Sequence, residues 1–120
     1  SVTSIGKNAF FGAECLNKVT LSKNLKVISE GAFNMSGLRK LTIPAKVRKI
    51  QKEALQFSSP IKKTSLTFKG KTPPSIYKNN PKNDGDGDFF WIGKIQVPKK
   101  SMAKYKKAFK LFRYNKMIGK

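Results

Sequence analysis

Ile28-Ser29-Glu30-Gly31-Ala32-Phe33-Asn34-Met35-Ser36-Gly37-Leu38-Arg39-Lys40-Leu41-Thr42-Ile43 follows, one period of 22 to 23 residues later, Ile5-Gly6-Lys7-Asn8-Ala9-Phe10-Phe11-Gly12-Ala13-Glu14-Cys15-Leu16-Asn17-Lys18-Val19-Thr20-Leu21. Seven small or apolar positions match: Val2, Ile5, Ala9, Phe10, Leu16, Val19 and Leu21 are succeeded by Leu25, Ile28, Ala32, Phe33, Leu38, Leu41 and Ile43. A looser third set is Val47, Ile50, Ala54, Leu55, Ile61, Leu66 and Phe68. The spacing slips by one residue between Phe10 and Leu16, and by a few between Leu55 and Leu66, as loops allow. A period of this length is the signature of a solenoid: one unit cannot bury its own apolar edge, so successive units stack.

The pattern within a unit predicts its shape. Val19-Thr20-Leu21 and Leu41-Thr42-Ile43 alternate apolar and polar residues and read as short strands. Ser22-Lys23-Asn24 and Pro44-Ala45-Lys46 turn the chain, and residues 25–28 cross the back in extended form. Residues 29–33 read as a short helical or 3₁₀ turn in which Ala32 allows close approach and Phe33 plugs the interior. Stacking about 4.8 Å apart would pair the strands and join Phe10, Phe33 and Leu55 into one column of core plugs. With Val19 and Leu21 pointing inward, alternation sends Lys18 and Thr20 outward, then Lys40 and Thr42, then Ser65 and Thr67. These six residues are the candidate binding strip, polar and basic.

Composition narrows the function. The 120 residues carry 26 basic and 6 acidic side chains, a formal net charge of +20. Such a field attracts anionic partners and repels further copies of the chain. Arg39, Arg48 and Arg113 are the arginines; the rest is lysine, a flexible point charge less suited to bidentate reading of phosphates or bases. Cys15 is the single cysteine and there is no histidine, which removes disulfides, cysteine metal sites and a histidine-based serine triad. Cys15 itself reads as a small buried apolar group. Glu14, Glu30 and Glu53 fall on successive turns without the flanking pocket that a catalytic carboxylate pair needs, and no glycine-rich phosphate loop follows a strand. No enzyme activity and no cofactor are expected. The strictly apolar run at residues 89–92 is far too short to span a membrane. No signal segment precedes Ser1, and the chain opens already in phase with the repeat, so a C-terminal piece of a longer protein is expected.

Residues 73–120 read as a cap on repeats occupying 1–72, the two making one structural unit. Thr72-Pro73-Pro74 ends the last repeat strand. Residues 78–88 are a polar, glycine-rich loop, 94–97 a strand, and 101–112 a helix with Ser101 at its N-cap. On that helix Met102, Tyr105, Phe109 and Phe112 share a face, leaving Lys104, Lys106, Lys107 and Lys110 to solvent. A lysine-rich helix can also serve nucleic acid or membranes, but burial of its apolar face against the repeats is the simpler role. Asp84, Asp86 and Asp88 have acidic spacing reminiscent of a calcium loop, yet Phe89 and Ile95 occupy the places where a glycine and a carboxylate are required. A solvated loop is preferred and no metal site is assigned. Phe89-Phe90-Trp91-Ile92 reads as cap core rather than a stacking platform for sugars or single strands.

The repeat resembles the BspA-type leucine-rich repeat. The resemblance rests on Val2-Thr3-Ser4-Ile5-Gly6, Ala9-Phe10-Phe11-Gly12 and Leu16-Asn17-Lys18-Val19-Thr20-Leu21, then on Ile28, Gly31-Ala32-Phe33 and Leu41-Thr42-Ile43-Pro44. Where the family often has cysteine directly after the turn glycine, Ala13 stands here and Cys15 comes two residues later. Val97-Pro98 followed by Tyr105 and Ala108 is similar to the closing segment of many such bacterial proteins. The resemblance implies an α+β fold: a curved, right-handed solenoid, here of about three coils, with short parallel strands on its concave face and a strand-helix cap. It also implies an extracellular or cell-surface bacterial protein that adheres to or binds other macromolecules, a protein or an anionic glycan. Nucleic acid, attracted by charge alone, is the alternative partner.

Overall fold

The computed structural model describes residues 2–57, 64–76, 91–109 and 113–120. Two parallel sheets join the coils, and the alternation read at Leu41 is realised in the second. The first sheet is built from two-residue strands: β1 (Ser4–Ile5), β2 (Val27–Ile28), β4 (Lys49–Ile50) and β6 (Ser75–Ile76), in the order β1-β2-β4-β6. The second holds β3 (Lys40–Ile43), β5 (Ser65–Phe68), β7 (Trp91–Val97) and β8 (Arg113–Gly119), in the order β3-β5-β7-β8. In the first sheet Ile5, Ile28, Ile50 and Ile76 lie in register, and in the second Leu41, Leu66, Ile95 and Met117 do. Like residues therefore stack over like, and the inward position of each strand feeds one continuous core. About three coils were expected. The sheets carry a fourth, because β6 and β7 add another turn after the proline pair.

The third side of the first three coils is a run of overlapping turns rather than the expected helical or 3₁₀ segment. In the first coil the N–H groups of Ala9, Phe11 and Ala13 donate three residues back, to Gly6, Asn8 and Phe10. The intervening N–H groups of Asn8, Phe10 and Gly12 donate forward to Glu30, Ala32 and Asn34 of the second coil at 2.9, 2.7 and 2.9 Å. One coil on, Gly31, Phe33 and Met35 do the same to Lys52, Ala54 and Gln56. Turning successive N–H groups to opposite sides requires left-handed residues at intervals. Asn8, Gly31 and Glu53 share one such position (φ 56°, 67° and 61°), and Gly12 and Met35 another (φ 70° and 60°). Glycine adopts that region freely, whereas Met35 and Glu53 each bear about 1–2 kcal/mol of strain there.

This hydrogen-bonded column carries the plugs. The rings of Phe10 and Phe33 stack with centroids 5.3 Å apart and planes within 2°. Leu55, fully buried, follows at the same position of the third coil, and Ala32 and Ala54 are fully buried beside the plugs. At Gly37 the backbone of the first coil leaves no room for a side chain on the second. The Gly37 N–H donates to Ala13, and the Glu14 and Leu16 backbone carbonyls crowd its Cα. Cys15 is exposed, not buried. It lies in the segment where the first coil has one residue more than the second, and its neighbour Glu14 is exposed as well.

The closing segment is a β7–α1–β8 crossover. Strand β7 begins at Trp91, earlier than the expected 94–97; a 3₁₀ turn (Lys99–Ser101) leads into helix α1 (Met102–Ala108), and β8 returns parallel to β7. The expected helix span 101–112 thus narrows, and its end from residue 110 lies outside the described residues. Ser101 occupies the N-cap position without a side-chain capping bond, because the 3₁₀ turn already sets the entry. Tyr105 and Phe109, both fully buried, pack on Phe68 with ring centroids 5.5 and 5.2 Å away. Tyr105 Oη donates to the Gly70 carbonyl oxygen at 2.6 Å, pinning the helix to the third coil. Burial pushes the Tyr105 phenol up to about 12.

Two outcomes follow from these contacts. Gly37→Ala should lower unfolding stability by about 1–3 kcal/mol, as overpacking against backbone does, whereas Gly6→Ala, whose added Cβ meets nothing within 4 Å, should not; urea melts of both decide it. Tyr105→Phe leaves the Gly70 carbonyl unpaired and should cost about 1–2 kcal/mol near neutral pH. The Tyr105 phenol ionises later in the folded than in the unfolded chain. Its contribution is therefore complete below its ordinary value of 10.0 and is lost as pH rises towards about 12. The gap between wild type and Tyr105→Phe should close over that range; the lysine titration is common to both and cancels.

Candidate binding face

The outward positions of the second sheet form two lines. Lys40, Ser65, Lys94 and Lys116 stand in register in one, and Thr42, Thr67, Gln96 and Ile118 in the other. Thr67 Oγ1 donates to Gln96 Oε1 at 3.4 Å, tying two coils across the face. Of the six residues of the sequence-derived strip, Lys18, Thr20, Lys40 and Thr42 are exposed and line one open groove of about 1040 Å³. Ser65 and Thr67 are half-buried on β5 and do not line it. Lys23, Arg39, Lys46 and Lys69 join the groove from the strand ends, so it has six cationic residues and no carboxylate in its wall. Lys46 Nζ donates to Asn24 Oδ1 at 3.1 Å, which fixes one of these ammonium groups beside the turn.

Sequence reasoning missed Lys94, Gln96 and Lys116. The signal for the first two was present: Lys94-Ile95-Gln96-Val97 repeats the alternation of Lys40-Leu41-Thr42-Ile43. Reading the segment as a cap leaves its outward residues out of the strip. The expected strand Val19-Thr20-Leu21 is not formed. The second sheet starts at β3, and among the described residues no backbone hydrogen bond joins residues 17–21 to residues 38–44. Two local features oppose the ladder there. Pro44 holds the place at which Lys69 donates to Ile43 in the next coil, and proline has no N–H to donate. The extra residue of the first coil between Phe10 and Leu16 displaces the approach to the strand.

The remaining candidates gather no further site. Glu14 and Glu30 are exposed, Glu53 is half-buried, and Glu30 lies 4.0 Å from Lys7 on the turn side. Asn34 donates to Glu53 at 3.4 Å, which accounts for that carboxylate structurally. Lys104, Lys106 and Lys107 are exposed on α1. The acidic loop with Asp84, Asp86 and Asp88, and the aromatic pair Phe89 and Phe90, lie outside the described residues. Among the described residues no helix is long and apolar enough to cross a membrane.

A family model described as BspA type leucine rich repeat region matches residues 1–78 in 6 copies. Neither the curated proteins nor the solved structures include a match to the chain.

The Lys94 and Lys116 side chains stand directly opposite each other in the β7–β8 register. Like charges so placed destabilise a sheet, and reversing one converts the pair to an attraction. Lys116→Glu should therefore raise stability by about 0.2–1 kcal/mol in low salt, with the gain shrinking as salt screens it. Thermal melts at two ionic strengths measure it; a loss of stability would remove the like-charge account of this face.

Proposed function

The chain belongs to the BspA-type leucine-rich repeat family, and on that premise we propose that it is a non-enzymatic interaction module of an exported, surface-associated bacterial protein, binding an anionic macromolecule through the concave face of its second sheet. The partner class is an acidic protein or an anionic glycan. The observation that carries this reading is the groove at Lys18, Thr20, Lys40 and Thr42, with its six cationic residues and no opposing carboxylate. Six cationic groups gathered without a carboxylate repel one another, and such a cost is most readily retained where the charges serve binding. Exposed threonines between the lysines offer hydroxyl groups that donate or accept, so the face can hydrogen-bond as well as attract.

Charge-driven binding of nucleic acid or another polyanion is the second reading. The net charge of +20 and the exposed lysines of α1 favour it; the small number of arginines does not.

Two double variants with equal charge change separate the readings. Lys18→Glu with Lys40→Glu alters the groove, and Lys104→Glu with Lys107→Glu alters the exposed face of α1. Heparin and poly-glutamate serve as the glycan and acidic-protein probes, with binding followed by fluorescence titration at two salt concentrations. The groove variant should weaken binding at least about tenfold more than the helix variant, equivalent to about 1.4 kcal/mol. Equal weakening by the two would favour charge alone and remove the face as the binding site.

A further inference from the structure

The place where the second sheet stops suggests how that face, if the reading above holds, engages its partner: we propose that β3 takes an extended acidic peptide as an added strand.

Ser65 N–H donates to the Arg39 carbonyl at 2.8 Å and Lys69 N–H to the Ile43 carbonyl at 3.0 Å. Residues 39, 41 and 43 therefore turn their backbone groups towards β5. In a parallel ladder alternate residues point to opposite sides. The N–H and C=O groups of Lys40 and Thr42 thus point away from β5, towards the first coil, where no strand meets them. Residues 17–21 form no strand, and among the described residues no backbone hydrogen bond closes the gap. An unpaired edge of this kind is a template for strand addition.

The groove follows this edge. Val19, Thr20 and Leu21 border it on the first coil, and Lys40, Leu41 and Thr42 on β3. Its wall combines apolar surface with ammonium groups, which suits a segment alternating small apolar residues with carboxylates. A glycan would satisfy the charges but would leave the alternating N–H and C=O groups of Lys40 and Thr42 without a matching backbone. A second copy of this chain would match the backbone and clash in charge, since each copy carries +20. Peptide backbone with acidic side chains answers both features.

The test uses the whole chain and a fluorescein-labelled peptide of about six residues, an ordinary strand length, alternating aspartate and valine. A control peptide has the same sequence and charge but N-methylated alternate amides, which cannot pair. The unmodified peptide should bind, and the N-methylated one at least about tenfold more weakly, the loss of one or two backbone hydrogen bonds. Amide hydrogen exchange at Lys40 and Thr42 should slow on binding. Thr42→Pro removes an N–H that no strand uses, is tolerated at a sheet edge, and should weaken the unmodified peptide to a similar degree. Equal binding of the two peptides, with the groove lysines still required, overturns strand addition and leaves the anionic face standing. Heparin binding without peptide binding also overturns it. So does slowed exchange on β8 instead of β3, or concentration-dependent self-association of the free chain that protects β3.

Discussion

On the turn side of the first two coils, alternate backbone donors are satisfied by the next coil. The N–H groups of Phe10 and Phe33 donate to Ala32 and Ala54, while their neighbours bond within the turn. Buried backbone groups left unpaired are costly, so this alternation fixes the register of one coil on the next before any side chain is considered. Once register is fixed, equivalent residues superpose, and the parallel ring stack of Phe10 on Phe33 follows from a backbone constraint. The two parallel sheets obey the same translation. So does the cap, whose β8 continues the second sheet while Tyr105 and Phe109 cover Phe68.

The repeat was legible because its period appears directly in the sequence: Ile5, Ile28 and Ile50 mark successive coils, and the structure stacks them. What was less legible depended on signals that periodicity does not carry. Strand β8 was not foreseen, since Lys116, Met117 and Ile118 do not show the clean alternation of a half-buried strand. The stacked turns read in sequence as helical or 3₁₀ because Met35 and Glu53 give no hint of positive φ, which the equivalent glycines Gly12 and Gly31 share with them through register. Four of the six strip residues come together in one groove. Its outer lysines, from turns and strand ends, belong to positions that alternation alone does not rank.

Charge and fold are in tension on the second sheet. Lys94 faces Lys116 across the β7–β8 pair, and the groove wall holds six cationic residues without a carboxylate. A repeat that copies its strand can copy its charges: Lys40, Lys94 and Lys116 fall on one line of the second sheet, interrupted by Ser65. Parallel stacking thus converts a modest sequence preference into a concentrated field, and the solenoid must tolerate the resulting repulsion through its core. The fully buried Leu66, Ile95 and Phe109 show where that compensating burial lies; each such side chain contributes roughly 1.5–3 kcal/mol.

The same charge bears on the open edge at β3. An unpaired strand edge ordinarily invites further copies of a protein to pair with it, and lysine on the edge is a common guard against this. Lys40 stands on β3 itself, Lys18 and Lys46 line the groove beside it, and the whole chain carries +20. A second copy would bring the same charges to the same place. An acidic strand would bring the opposite ones. On the proposed strand addition, the lysines that would keep the edge free of its own kind would also select the sign of its occupant, and the break left by Pro44 and the extra residue of the first coil would give that selection a backbone to act on.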